Sequence, residues 1–112
     1  MLQRVCMKIA VCFKLKHLNI SWCEELTSAG LETVGGGCPE LETLAMRQCL
    51  TTPTAIDVIT GHCTSLRVLD LSGVNCIDDF LLVRLAAGLR RLETLDISWN
   101  IGEPYVYCHH AV

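Results

Sequence analysis

Several features that mark whole classes of protein are missing from this sequence. No apolar run approaches the roughly 18 residues of a membrane-spanning helix. No Cys-x-x-Cys pair is present for a zinc site, and no Lys-Ser or Lys-Thr follows the glycine triplet at 35–37, as a phosphate loop requires. The net charge of −3 is too acidic for a nucleic-acid binder. These absences argue against a membrane, zinc, nucleotide or nucleic-acid function.

Catalytic and metal-binding groups are also sparse. Cys108, His109 and His110 form the only dense ligand cluster, in a tail where adjacent histidines are usually solvated. His62 and Cys63 are neighbours at a boundary between sequence units, which favours a structural role. Nucleophilic catalysis needs a base and an orienting group at one point, and nothing in the sequence provides them. We therefore predict no metal, no cofactor and no enzymatic activity.

The chain does contain a regular internal repeat. Similar phrases begin at Cys12, Cys38 and Cys63, and a fourth begins at Leu89, so the starts are 26, 25 and 26 residues apart. A fixed period of this size indicates one supersecondary unit that is stacked several times and buries its apolar face against its neighbours. Such burial also explains a hydrophobic content of 51% without a membrane.

Each unit changes its apolar spacing halfway along. In the first half, two slots lie two residues apart, which is the spacing of a strand with one buried face. In the second half, the spacing becomes three, as on one side of a helix. The strand slots hold Leu18 and Ile20, Leu44 and Met46, Leu69 and Leu71, and Leu95 and Ile97. The helix slots hold Leu31 and Val34, Ile56 and Ile59, and Leu82 and Leu85.

Helix boundary signals agree with this division. Thr27 or Ser28 can cap the first helix, Thr52 followed by Pro53 the second, and Asp78 or Asp79 the third. Glycines at 35–37, 61 and 88 lie where each helix must stop. Strand, turn and helix thus repeat three times, and the strands are expected to stack in parallel.

The spacing Cys-x-x-Leu-x-x-Leu-x-Leu-x-x-Cys resembles the cysteine-containing leucine-rich repeat, typical of F-box/leucine-rich-repeat proteins. The resemblance covers about residues 12–100, although the second cysteine, present at Cys23 and Cys49, is Val74 and Asn100 in the later copies. It implies an α/β leucine-rich-repeat solenoid. In that fold, a right-handed β-α superhelix, parallel strands line the concave side and helices the convex side.

The repeats suggest a division of the chain. Residues 1–11 are interpreted as the remnant of a preceding repeat helix. The repeats then occupy residues 12–37, 38–62, 63–88 and, in part, 89–100, and residues 101–112 form an irregular tail. No F-box is found, since only eleven residues precede Cys12. We interpret the chain as a truncated form or fragment of a longer repeat protein.

The resemblance implies a protein–protein interaction module. F-box/leucine-rich-repeat proteins are substrate receptors of SCF ubiquitin ligases, and the repeats would recognise a substrate for ubiquitin-dependent degradation. Ligase subunits would be partners only if a longer form carries an F-box. Two alternatives stay open: a repeat scaffold with no ubiquitin role, and a mitochondrial assembly factor. The second rests on a basic start with no acidic residue before Glu24. A cytoplasmic or nuclear location is otherwise expected.

The candidate partner-binding residues lie on the strands and point away from the core. Because alternate strand residues share a face, stacked strands place them in rows on the concave side. Trp22 and Trp99 follow at the edge of these rows, either as interface anchors or packed against a loop. The candidates are His17, Asn19, Ser21, Trp22, Thr43, Arg47, Val68, Asp70, Ser72, Thr94, Asp96, Ser98 and Trp99.

The eight cysteines are expected to be free thiols. Cys12, Cys38 and Cys63 occupy equivalent slots, where a small apolar side chain packs between strand and helix, and free cysteine behaves there as a small hydrophobe. Thiol titration of the denatured chain should therefore find eight reactive groups without added reductant. A count well below eight would instead indicate a disulfide framework, as in small secreted domains.

Overall fold

Strands and helices alternate along the chain in the computed structural model, which describes residues 13–24 and 26–98. The residues at 1–12 and 99–112, which include the predicted helix remnant and the tail, lie outside the described residues. The strands are β1 (His17–Asn19), β2 (Thr43–Ala45), β3 (Val68–Asp70) and β4 (Thr94–Asp96). The helices are α1 (Ser28–Gly37), α2 (Pro53–His62) and α3 (Asp79–Gly88).

The four strands form one parallel sheet in the order β1-β2-β3-β4. Leu18 pairs with Leu44, Leu44 with Leu69, and Leu69 with Leu95. Each predicted strand slot therefore lies directly beside its counterpart in the next unit. The predicted α/β class and parallel pairing are confirmed.

The apolar core lies between the sheet and the three helices. Strand leucines and helix residues of successive units form one cluster that is almost free of solvent contact. Cys38 and Cys63 are fully buried in it, as their slot predicts, and the Cys63 Sγ lies 3.5 Å from the Cys38 carbonyl oxygen. Burial, together with the nearby Cys38 thiol, raises the pKa of Cys63 to about 12.

The helices begin where expected and end differently. Thr27, Thr52 and Asp78 each accept a hydrogen bond from the backbone N–H three residues on, which satisfies an otherwise unpaired donor. At the other end, the residue in the repeated cysteine slot caps the helix with negative φ, and its backbone N–H donates back into the last turn. The glycines thus lie within the last turns, and none of these helix ends uses a left-handed glycine.

The third helix also differs from its predicted packing. Leu85 is buried as expected, but Leu82 is half-buried and the more deeply buried residue is Leu81. Leu81 lines a cavity together with Pro53 and Asp57 of α2, so it lies on the side of α3 that faces α2. The simple three-residue spacing overlooked this inter-helix position.

Gly35 allows α1 to approach α2 closely. A Cβ added at Gly35 would lie 2.8 Å from the His62 Cβ, which is anchored to the backbone and cannot swing aside. We expect Gly35→Ala to lower the free energy of unfolding by about 1–3 kcal/mol through overpacking. Gly36→Ala is the matched control, because nothing lies within 4 Å of its added Cβ. It should stabilise the helix by about 0.5–1 kcal/mol in urea denaturation, and equal effects of the two substitutions would contradict this packing.

The raised pKa of Cys63 predicts a loss of stability in alkali. The pKa of an ordinary cysteine thiol is 9.0 and that of the buried Cys63 thiol is about 12, so the stabilising effect is complete below pH 9 and is lost as pH rises toward 12. Over that range the Cys63 contribution to unfolding free energy should fall by about 1.4 kcal/mol per pH unit. Cys63→Val should flatten the dependence in urea titrations at pH 8–10.5, whereas an unchanged slope would assign the effect to other groups.

Candidate protein-interaction surface

One face of the sheet carries no helix within the described residues. The helices pack against the face that bears Leu44, Leu69 and Leu95, and the alternate strand residues are exposed or half-buried on the opposite side. We call this second side the open face. It consists of His17, Asn19, Thr43, Ala45, Val68, Asp70, Thr94 and Asp96.

Three residues of the open face also terminate their strands. The Asn19 Oδ1 accepts a hydrogen bond from the Ser21 N–H at 2.9 Å. Asp70 and Asp96 make the same bond to the residue two positions on, at 3.0 and 2.9 Å. Such side-chain turns compete with strand pairing and end it. Three candidate contact residues therefore have a structural role as well.

In the second unit, a side chain of the neighbouring unit accepts the hydrogen bond at the end of the strand. Ala45 has no side-chain oxygen to accept this hydrogen bond, and the Arg47 N–H instead donates to the Ser21 hydroxyl at 3.0 Å. The Arg47 side chain lies beside Asp70, with Nε 3.4 Å from Oδ2. An exposed pair of this kind contributes little to stability, so Arg47 keeps its reach toward solvent.

Ser72 is the exception among the candidates. It was predicted to point outward, but its exposed fraction is 6%. Its N–H donates to Asp70, and its carbonyl accepts the Gln48 N–H at 2.8 Å. Ser72 is therefore a structural residue. The equivalent Ser21 and Ser98 are half-buried at the rim of the open face.

A row of left-handed residues follows the strands at this rim. Trp22, Gln48 and Gly73 occupy equivalent positions and have φ of 66°, 55° and 75°. A residue with a side chain is disfavoured there, and a bulky one strongly so. The sequence pointed to this row only through Gly73, and Gln48 was missed. Trp99, at the next equivalent position, lies outside the described residues.

Trp22 is both exposed and firmly held. Its side chain is 74% accessible, while its backbone N–H donates to the Arg47 carbonyl at 2.8 Å. From the neighbouring unit, the buried Cys49 thiol donates to the Ile20 carbonyl at 3.1 Å, next to the turn. Burial raises the pKa of Cys49, so this thiol stays protonated and remains a donor. The result is a fixed turn that presents an indole to solvent.

The opposite rim carries a ladder of alternating charges that the sequence pattern did not reveal. Lys16, Glu42, Arg67 and Glu93 stand one unit apart, and the charged atoms of successive pairs are separated by 3.9, 4.0 and 2.6 Å. The hydrogen bond from Arg67 lowers the pKa of the Glu93 carboxyl. Because the charges cancel along the ladder, this rim has little net charge for a ligand to recognise.

Neither metal nor membrane chemistry is visible in the described part of the chain. Among residues 13–24 and 26–98, no three His, Cys, Asp or Glu side chains lie close enough together to hold a metal ion. No helix in the same ranges is both long and apolar enough to cross a bilayer. The predicted Cys108, His109 and His110 cluster lies outside the described residues. The open face and its rim therefore offer a ligand hydrogen-bonding groups and the exposed indole of Trp22.

Comparison with known proteins agrees with the geometry. A family profile described as "Leucine Rich repeat" matches residues 11–35 and 62–79. The chain is 40% identical over 99 residues to the DNA repair protein rhp7 of Schizosaccharomyces pombe. That alignment covers 81% of this chain but only 17% of the relative, so the chain spans about a sixth of the relative's length. The matched segments show that the chain contains leucine-rich repeats, and its parallel strands and helices in register agree with that repeat type.

Proposed function

We propose that this chain binds a partner protein through the open face and its rim, with Trp22 as the anchor. The role is recognition alone, and no residue is assigned to a catalytic step. Parallel strands in strict register bring polar, mostly uncharged groups into rows, a surface suited to another protein's backbone and side chains. The net charge of −3 favours a protein over nucleic acid here.

The observation that carries this proposal is the state of Trp22. A tryptophan in the left-handed region at 74% exposure has both backbone strain and solvated apolar surface, and neither stabilises the fold. Glycine occupies the equivalent position 73 in the same chain, and it adopts the left-handed conformation without backbone strain. Tryptophan is also enriched among residues that dominate interface affinity. Binding explains why an unfavourable residue is kept at this rim.

The finer architecture follows from the repeat. We propose that the sheet curves into a right-handed solenoid with the open face on the concave side. Support comes from the 26-, 25- and 26-residue period and from the unbroken register of the four strands. The wider helix layer on one side and the short strands on the other favour this curvature.

Two observations bear on the biological role. The cysteine-containing repeat resembles that of F-box/leucine-rich-repeat proteins, which supports substrate recognition for an SCF-type ubiquitin ligase. The likeness to a DNA repair protein supports a repair-related partner. Both roles would use the same open face in a cytoplasmic or nuclear setting. A repeat scaffold with no ubiquitin role requires only the repeats, and the mitochondrial alternative depends largely on residues 1–11.

The test replaces two left-handed residues with glycine. A photo-crosslinking amino acid at Thr43 on the open face would first capture the partner, with Glu32 on α1 as the control position. Trp22→Gly should then weaken binding to that partner at least about tenfold, while stability is unchanged or rises by up to about 1 kcal/mol. Gln48→Gly is the matched control, because it relieves the same strain without removing the indole.

Calorimetric affinity and urea denaturation give the two readouts. Equal affinity of the Trp22→Gly chain would remove Trp22 as the anchor. Crosslinks that form from Glu32 and not from Thr43 would place the partner on the helices and overturn the proposal. A large stability loss in Trp22→Gly would show that the indole is a packing residue after all.

A further inference from the structure

The outward side of α3 carries an apolar stripe that the fold does not require. Phe80 and Val83 are 81% and 67% exposed, and Ala87 continues the stripe one turn on. These positions lie 2, 5 and 9 residues after the helix cap. The equivalent residues are Ala29, Glu32 and Gly36 on α1, and Thr54, Asp57 and Gly61 on α2. Of the three described helices, only α3 makes this row apolar with large side chains.

Stacking of further repeats would not cover this stripe. The helix α2 has a neighbour on each side, yet Thr54 and Gly61 stay exposed, and Asp57 is half-buried only where Arg84 reaches it. These positions therefore face away from the sheet whether or not another helix packs beside the one that carries them. Exposure of Phe80 and Val83 is a property of this surface, and two large apolar side chains on one helix face favour a docking partner.

A groove runs beside the stripe, between α2 and α3. The Asp57–Arg84 ion pair crosses it, with Nε–Oδ1 and Nη2–Oδ2 separations of 2.9 and 2.8 Å. The pair divides the groove into cavities of about 360 and 180 Å³. Phe80 and Leu81 line the smaller cavity, and Ala87 and Leu89 the larger. Each has room for a leucine-sized side chain.

Charges are separated at the two ends of this groove. Asp78 and Asp79 are exposed where α3 begins, and Arg90 and Arg91 are exposed just after it ends. The charge pair in the middle is internally neutralised. A ligand that lies along α3 would therefore meet negative charge at one end and positive charge at the other, separated by about three helical turns, or roughly 15 Å.

We propose that this surface docks an amphipathic helix of a partner protein. Its leucine-like side chains, three and four residues apart, enter the two cavities and cover Phe80 and Val83. A basic residue lies at the Asp78–Asp79 end and an acidic residue at the Arg90–Arg91 end. This is helix-in-groove recognition, in which spaced apolar anchors give affinity and charges fix the register. The site is separate from the open face and does not depend on the function proposed there.

The probe is a stapled, fluorescein-labelled amphipathic peptide with leucines on one face, lysine at one end and glutamate at the other. A control peptide has glutamine in place of both charged residues. Anisotropy with the full chain should show binding of the charged peptide, and about threefold or greater weakening for the glutamine peptide. Phe80→Ser with Val83→Ser should weaken binding at least about tenfold.

Three controls keep the result interpretable. Ala29→Ser with Glu32→Ser changes the equivalent row of α1 and should leave the affinity unchanged, as should Trp22→Gly on the other face. Because Phe80 and Val83 are largely exposed, the melting temperature of their variant should stay near that of the parent chain. Val83→Ser alone, with a smaller but measurable loss of affinity, serves if the double variant folds poorly.

Several outcomes would overturn the proposal. One is no binding of the charged peptide, and another is equal binding by the parent and the Val83→Ser chain. Equal loss with Trp22→Gly would mean that the peptide occupies the open face. Sedimentation that finds a dimer of the parent chain and a monomer of the Phe80 variant would make a second copy the occupant.

Discussion

The parallel register of the strands is the constraint on which the rest of the structure depends. Leu18, Leu44, Leu69 and Leu95 lie side by side, and this fixes which residue of one unit meets which residue of the next. Each unit is too small to bury its apolar residues alone, so its core is completed by its neighbours. The same register aligns the capping threonines and aspartate, the buried thiols, the charge ladder and the left-handed rim.

Repetition made much of this fold predictable from sequence. Apolar residues that recur at equivalent positions indicated a shared buried slot, and Leu44, Leu69 and Leu95 as well as Cys38 and Cys63 occupy such slots. Helix starts were predictable because one oxygen and one N–H suffice to cap a helix. Helix ends were harder to predict. The glycines indicated the region where each helix stops, but the cap is the backbone N–H of the residue that follows the helix.

Features that differ between units were harder to predict. Ser72 is the same residue type as its counterparts Ser21 and Ser98, yet it is buried while they are half-buried, a difference that the residue type does not signal. Leu81 is buried three residues after its helix cap, as Ala55 is in α2, and the three-residue apolar spacing did not mark that position. The left-handed conformation of Trp22 was not predictable from tryptophan itself, because tryptophan disfavours that conformation. Glycine at the equivalent position 73 was the indication in the sequence. Of the candidate site, the outward strand rows and the place of Trp22 at their edge could be predicted, whereas the left-handed turn that presents Trp22 could not.

The two surfaces proposed to bind partners lie on opposite sides of the core. Trp22 stands at the rim of the open face, and Phe80 and Val83 lie on the outward side of the helices. Because the core separates them, a partner on one surface does not obstruct the other, and both could be occupied together. Each unit is joined to its neighbours by paired strands, so the two surfaces belong to one continuous stack. A chain that bound ligands on both surfaces would hold them on opposite sides of this stack, an arrangement that suits a scaffold or a substrate receptor.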